Sequence, residues 1–194
     1  SSKKKLKEKD FNANEEIYPN YFGAAWMKVF VEKLCEFYSR FGRNKYTVIR
    51  HSNVYGKFDK FDLEKSHVLG ANITKVLKNK NGKLYIWGAG NEKRDFLYID
   101  DLVEFVELSI KKQKKIFGLY NAGTGKMVSI NNLIKLIIRI SKKKIVTIND
   151  LSKKSLNTYV CLNCDKAFKE IGWKPKTILP SGIEKTIKWY NKNY

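Results

Sequence analysis

The chain has 194 residues, of which 43% are hydrophobic and 13% aromatic, enough for one domain that buries roughly 70% of the surface its unfolded chain exposes. That composition excludes a disordered chain, and no run approaches the roughly 18 apolar residues that a membrane-spanning helix needs. The 39 basic residues against 19 acidic ones give a formal charge of +20, which alone would suggest nucleic acid or an anionic surface as partner. Yet 34 of the 39 are lysines, spread along the chain among many asparagines, whereas arginine is the residue favoured for bidentate phosphate and base recognition. The excess therefore reads as a solubility feature with a general preference for anionic substrates, and it argues against a nucleic-acid partner. The opening Ser-Ser-Lys-Lys-Lys has neither an initiator Met nor the apolar core of a signal peptide. The expectation is a soluble, cytoplasmic piece of something longer.

In chain order, residues 1–20 are polar and turn-rich and read as a surface loop. Met27, Phe30, Val31, Leu34 and Phe37 or Tyr38 recur at helical spacing, which predicts a long helix over 24–41 ended by Gly42. A β-branched run predicts a short buried strand over 46–50, followed by a loop carrying Asn53-Val-Tyr-Gly56. A second helix is expected over 66–80, stopped by Asn81-Gly82, then two short strands over 84–87 and 95–99. Asp100 and Asp101 read as caps of a third helix over 100–112. Beyond it the pattern predicts a strand over 119–122, a helix over 129–141 opened by Ser129, a strand over 145–148 and a closing helix over 180–190. Strands alternating with helices indicate an α/β architecture.

Three cysteines, Cys35, Cys161 and Cys164, do not make a disulfide framework. Cys161-Leu-Asn-Cys164 has metal-like spacing, but no second Cys pair or His partner follows it. No metal site is assigned, and structural thiols in a reducing compartment are expected. Asn121-Ala-Gly-Thr-Gly125 is the one glycine-rich candidate for a nucleotide phosphate; it lacks the G-x-G-x-x-G spacing, so a plain turn is the preferred reading.

Four segments stand in a telling order. Tyr21-Phe-Gly-Ala-Ala-Trp-Met-Lys28 opens the long helix, and Arg50-His-Ser-Asn-Val-Tyr-Gly56 follows the next strand. Trp87-Gly-Ala-Gly90 precedes Arg94-Asp-Phe-Leu-Tyr-Ile-Asp-Asp101, and Gly172-Trp-Lys-Pro175 precedes the last helix. From Tyr21 onward this resembles the C-terminal half of the extended short-chain dehydrogenases/reductases, the nucleotide-sugar epimerase, dehydratase and reductase family. The resemblance implies an α/β chain that is one partial domain of a Rossmann-type fold. About residues 20–60 would end the Rossmann part and carry the catalytic helix, and about 61–194 would be mostly the substrate-binding portion; the N-terminal cofactor-binding half is absent. It further implies NADP or NAD as cofactor, a nucleotide-sugar substrate and a homodimer, with Val29, Leu34 and Phe37 on the long helix covering a partner as well as a core.

Enzymes of this family take a proton from a sugar hydroxyl while hydride passes to NAD(P), or run the reverse, using a Tyr four residues before a Lys on one helix. Positions i and i+4 share a face, so the ammonium lowers the phenol pKa from about 10 toward neutrality and also binds the nicotinamide ribose. Lys28 matches that lysine, but the tyrosine position falls on Ala24, and a methyl group transfers no proton. Tyr21 lies two helical turns before Lys28, which makes it a poor substitute. The resemblance thus implies a chain that is inactive as it stands. Ser1 or Ser2 would match the family Ser or Thr that hydrogen-bonds substrate, and His51 stands beside the nicotinamide where many relatives carry Pro.

The segment from Phe58 to Ser66-His67-Val resembles that of the GDP-L-fucose synthases within the family, where this histidine is an acid in epimerisation. Imidazole, with a reference pKa near 6.5, suits the role; a hydrogen-bonded structural histidine is the alternative. By the same resemblance Asn53 would bond sugar or phosphate, Lys75 the pyrophosphate, Trp87 would line the nucleotide pocket and Arg94 would clamp phosphate. Read without it, Lys28 is a solvated helix residue, Asn53 a turn residue, Trp87 core, and Arg94 the ion partner of Asp100 or Asp101. Beside a GDP-sugar epimerase/reductase, the open readings are a 4-epimerase or 4,6-dehydratase, and a non-catalytic sugar-nucleotide or basic nucleic-acid-binding module.

Overall fold

The computed structural model describes residues 5–17, 19–153 and 159–194. In chain order these form α1 (Phe22–Ser39), β1 (Tyr46–His51), β2 (Asn53–Tyr55), α2 (Val68–Leu77), β3 (Lys83–Trp87), β4 (Lys93–Tyr98), α3 (Ile99–Lys112) and β5 (Phe117–Ala122). There follow β6 (Met127–Ser129), α4 (Ile130–Ser141), β7 (Val146–Asp150), β8 (Tyr159–Val160), α5 (Asp165–Ile171) and α6 (Leu179–Asn193). β1 pairs in parallel with β5, Tyr46 opposite Phe117 and His51 opposite Ala122. β2 pairs in parallel with the end of β4, whose beginning takes β6 antiparallel and β8 parallel. β3 and β7 form a third, parallel pair.

Two cores result, and β4 serves both. Phe96 and Tyr98 point into one with Ile73 and Val76 of α2, Leu133 and Ile137 of α4, and Ile183 of α6. Leu97 points into the other, with Phe105, Tyr120, Ile171 and Trp173, because successive strand side chains face opposite ways. α4 shows how local sequence and packing agree: Ile130, Leu133, Ile134 and Ile137 are its buried residues, and the Ser129 hydroxyl accepts from the Asn132 amide at 3.2 Å as its N-cap. α5 ends at Gly172, whose φ of +73° is a left-handed value that glycine adopts without strain. The chain is thereby turned so that Trp173 enters the second core.

Several expectations change. The second helix stops at Leu77 because the Asn79 side chain accepts from the Gly82 amide and donates to the Lys83 carbonyl, both at 2.8 Å, closing a turn into β3. Asp100 and Asp101 are not caps. β4 runs straight into α3, so Tyr98 holds the N-cap position with no side-chain cap bond, and both aspartates fall in the first turn, where negative charge suits the helix dipole. β1 is half-buried rather than buried, since among the described strands it pairs with β5 alone. Residues 53–55 are strand rather than loop. In the N-terminal segment, Leu6 bridges Leu162 and Glu8–Asp10 makes a 3-10 turn. α1 is the least covered helix: Ser39 is its one buried residue.

Candidate active site

α1 begins at Phe22, so Ala24 and Lys28 lie one turn apart inside it, both exposed. Tyr21 is the N-cap of this helix rather than part of it, which removes the shared helical face that its spacing would have given. Lys28 lines a cleft of about 840 Å³ together with His51, Met27 and residues of the segment 6–17. Four consecutive β1 residues, from Val48 to His51, also line it, so what faces the cleft is the open edge of the strand. Ala24 is outside the lining, one turn before Lys28.

The floor of this cleft is tied together by Arg50. Its Nε and one terminal nitrogen reach the two Glu32 oxygens at 2.8 and 2.6 Å, its other terminal nitrogen donates to the Glu8 carbonyl at 2.9 Å, and its guanidinium lies 5.2 Å from the centre of the Phe11 ring. β1, α1 and the N-terminal segment are thus held by one bidentate ion pair. The Glu8 carboxylate accepts from the Asn121 amide at 2.8 Å. Sequence reasoning missed these contributions of Glu8 and Phe11, since nothing periodic marks a loop as a cleft wall. His51 has Nδ1 2.8 Å from the Ser52 carbonyl. That contact fixes the neutral ring with its proton on Nδ1, leaving Nε2 as an acceptor.

A second grouping lies on β3, α2 and β4. Trp87, which residue type alone would place in the core, is 62% exposed. The Lys75 ammonium stands 5.8 Å from the centroid of its ring. The turn after Trp87 is fixed by Asn149, donating to the Gly88 carbonyl at 3.0 Å, and by Asn131, donating to the Ala89 carbonyl at 2.8 Å. Arg94 carries a buried Nε with no hydrogen-bond partner. The ion pairs expected for it are taken elsewhere: Asp100 pairs with Lys57 at 3.0 Å, and Asp101 accepts from the amide and hydroxyl of Thr177 at 3.0 and 3.1 Å. Asn53 donates to the Asp95 carbonyl at 3.0 Å, which sets the orientation of its amide. His67 is exposed at the N-cap of α2, makes no cap bond, and does not line the cleft that holds Lys28.

The remaining candidates are structural or fall elsewhere. Asp95, fully buried, accepts from the amides of Thr124 and Gly125 at 2.9 Å and from the Thr124 hydroxyl, so the Asn121–Gly125 turn has spent the amides a phosphate would need. The Cys164 sulfur takes the Gly123 amide at 3.1 Å, and burial pushes its thiol up to about 12. Among the described residues no three His, Cys, Asp or Glu side chains cluster as metal ligands. Ser1 and Ser2 lie outside the described residues.

Parallel strand pairs joined through helices, with a helix-borne lysine and the last residue of β1 in one cleft, define an α/β protein of the Rossmann type. The profile of the NAD dependent epimerase/dehydratase family matches residues 7–123, and the chain belongs to that family. It is 33% identical over 172 residues to GDP-L-colitose synthase of Yersinia pseudotuberculosis, covering 87% of this chain and 56% of that protein. It is 33% identical over 165 residues to GDP-L-fucose synthase of Sinorhizobium fredii, covering 83% of this chain and 52% of that one. The crystal structure of UDP-glucose 4-epimerase with UDP-glucose from Thermotoga maritima superposes with a TM-score of 0.80 at 26% identity, over 96% of this chain and 57% of that one. The chain spans about half the length of the curated relatives it matches.

Proposed function

We propose that this chain is the substrate-binding portion, together with the catalytic helix, of a cytoplasmic NAD(P)-dependent nucleotide-sugar epimerase/reductase of the GDP-L-fucose synthase kind, catalytically silent as it stands. The observation that carries the reading is the Lys75 ammonium poised 5.8 Å over the exposed Trp87 ring. An open indole face is a surface for a purine, and an ammonium at its edge is a partner for the diphosphate beside that purine. Arg94, with a buried Nε and no carboxylate to neutralise it, clamps the same diphosphate. Asn53 then bonds the sugar or its phosphate through an amide already oriented by Asp95.

The cleft of about 840 Å³ that Lys28 and His51 share is within the range of ligand sites, about 300–1,000 Å³, and suits the nicotinamide end of NADP or NAD. Lys28 would donate to the ribose hydroxyls, and His51 would offer Nε2 as an acceptor. When bound, the cofactor supplies the hydride acceptor or donor for a sugar carbon. His67 supplies the proton of epimerisation. Hydride exchange at a hydroxyl-bearing carbon requires a proton partner as well, and Ala24, one turn before Lys28, has none to give; that is why the chain is read as silent. The exposed apolar side chains of α1, among them Phe30 at 62% and Phe37 at 49%, together with Val29 and Leu34, favour a homodimer in the intact protein.

The test has two arms. GDP and UDP are titrated against the chain by tryptophan fluorescence: GDP should bind, and Trp87→Ala or Arg94→Gln should weaken it by about tenfold or more, some 1.4 kcal/mol. In the intact protein, NADPH oxidation by a GDP-4-keto-6-deoxy sugar should be absent with Ala24 and appear with Ala24→Tyr. Preference for UDP would move the reading to a 4-epimerase, in line with the structural similarity to a UDP-glucose enzyme. Failure to bind either nucleotide, with steeply salt-dependent binding of DNA instead, would overturn it in favour of a nucleic-acid module.

A further inference from the structure

The loop between β2 and α2 holds a carboxylate that none of the roles above uses. Asp59 is half-buried. Its Oδ1 accepts from the Lys60 amide at 2.7 Å, while its Oδ2 is shut off from solvent and has no hydrogen-bond partner. Oxygens in that condition are costly, because a charged acceptor has lost water and gained nothing in exchange.

The surroundings hold it there deliberately. Gly70, in the first turn of α2, lies against this carboxylate: a Cβ at that position would stand 3.2 Å from Oδ2 and 2.7 Å from the Lys60 carbonyl, so only glycine lets the loop approach the helix so closely. Phe58, immediately before Asp59, takes φ +63°, a left-handed conformation that a bulky residue adopts only when its surroundings impose it. The same helix that Asp59 abuts has His67 as its N-cap, with an imidazole that makes no cap bond. Burial raises the Asp59 carboxyl above its ordinary value; the Lys60 amide and the charge of His67 oppose that rise. The neighbouring Lys60 thus acts through its main chain, and the charged side chain that acts on Asp59 is His67.

On the reading that His67 is the acid, we propose that Asp59 is its positioning residue: the buried Oδ2 favours the imidazolium form of His67 and fixes the ring at the start of α2, so that the proton is held there until substrate takes it. Two physical requirements are met together. The orphaned oxygen gains a cationic counterpart, and the histidine gains a reason to be charged at neutral pH although it stands at a helix N-terminus, where the dipole disfavours a cation. Asp59 touches neither substrate nor cofactor in this scheme.

NMR titration of the chain tests the coupling directly. The sequence has two histidines, His51 and His67, so in a His51→Gln background a single imidazole titrates. Asp59→Asn should weaken proton binding at His67 by about threefold or more, with the amide spectrum otherwise unchanged. The reciprocal arm covers the case in which that variant does not fold: in His67→Gln, the Asp59 carboxyl carbon should titrate at higher pH than in the parent chain, because the opposing charge is gone. Unchanged titration of the partner group in either variant overturns the proposal. The acid reading of His67 fails separately, by His67→Gln retaining epimerisation in the intact protein, and that result would leave the measured coupling standing without its catalytic purpose.

Discussion

Trp173 donates its indole Nε1 proton to the main-chain carbonyl of Asp101 at 2.8 Å, from a side chain with no exposed surface. The Asp101 carboxylate in turn accepts from the amide and hydroxyl of Thr177. A short motif near the end of the chain thereby grips, on either side of Pro175, the junction of β4 and α3 that follows Arg94. The indole also meets the Phe105 ring at 4.9 Å between centroids. Trp173→Ala should lower the unfolding free energy by about 3–5 kcal/mol. Trp173→Phe should cost less, about 1–3 kcal/mol, because it keeps an aromatic ring against Phe105 but leaves a buried carbonyl unpaired. Urea denaturation of both variants measures the two contributions; equal losses would mean that the hydrogen bond, not the packing, holds the clamp.

Asp95 makes a comparable prediction for the turn that resembles a nucleotide loop. Its carboxylate gathers the Thr124 amide, the Thr124 hydroxyl and the Gly125 amide, all from a fully buried position. Asp95→Asn should cost about 1.5–3 kcal/mol, the scale of hydrogen bonds to a charged group. Hydrogen exchange gives the local readout: the Thr124 and Gly125 amides should lose protection beyond that of the rest of β5. If they exchange no faster than their neighbours, the turn is held by something other than this carboxylate.

These two residues also show what a sequence conveys and what it withholds. α4 was legible from end to end, because its apolar period and its Ser129 cap are local properties of one segment. α5 was not, since a seven-residue helix offers barely two turns of period, and neither were β6 and β8, whose three and two residues carry no alternation to read. Asp101 looks like a cap when only its neighbours are considered; its real partner is Thr177, far along the chain. The candidate site divides in the same way. Lys28 and Trp87 were found through motifs, but the Lys75 contact with Trp87 joins a helix to a strand and exists only in three dimensions. Asp59 carried one signal, its place in the loop before Ser66-His67, and that signal has no meaning until Gly70 is seen to lie against it.

The cysteines make a prediction about reactivity. Burial raises the thiols of both Cys161 and Cys164, the latter to about 12 although the Gly123 amide opposes the rise. The thiolate is the reactive form, so neither should react at pH 8 in the folded chain. In a Cys35→Ser variant, labelling by a thiol reagent should follow the unfolded fraction across a urea series. Fast labelling of the native variant would contradict the burial of this pair.

Stability against pH should carry the mark of Tyr120 and Glu170. The Tyr120 hydroxyl donates to Glu170 at 3.0 Å, and Lys115 reaches the other carboxylate oxygen at 2.7 Å. Burial first, and then the carboxylate it bonds, push the Tyr120 phenol from 10.0 up to about 12. A group whose folded pKa is raised contributes stability that is complete below its unfolded value and is lost as pH climbs to the folded one, so this contribution fades between about pH 10 and 12. Glu170 has the opposite sign. Burial raises it, but the bonds from Lys115 and Tyr120 outweigh that and leave it below 4.5. Its contribution is therefore present above pH 4.5 and disappears as pH falls through the lower folded value. Urea midpoints measured from pH 3 to pH 11.5 separate the two. Glu170→Gln should flatten the acid limb; Tyr120→Phe should flatten the alkaline limb and, by removing one of the bonds that lowers Glu170, make the acid limb shallower as well. An acid limb untouched by Tyr120→Phe would mean that Lys115, three-fifths exposed, sets the Glu170 proton affinity alone, against the expectation that a solvent-screened lysine is the weaker of the two partners.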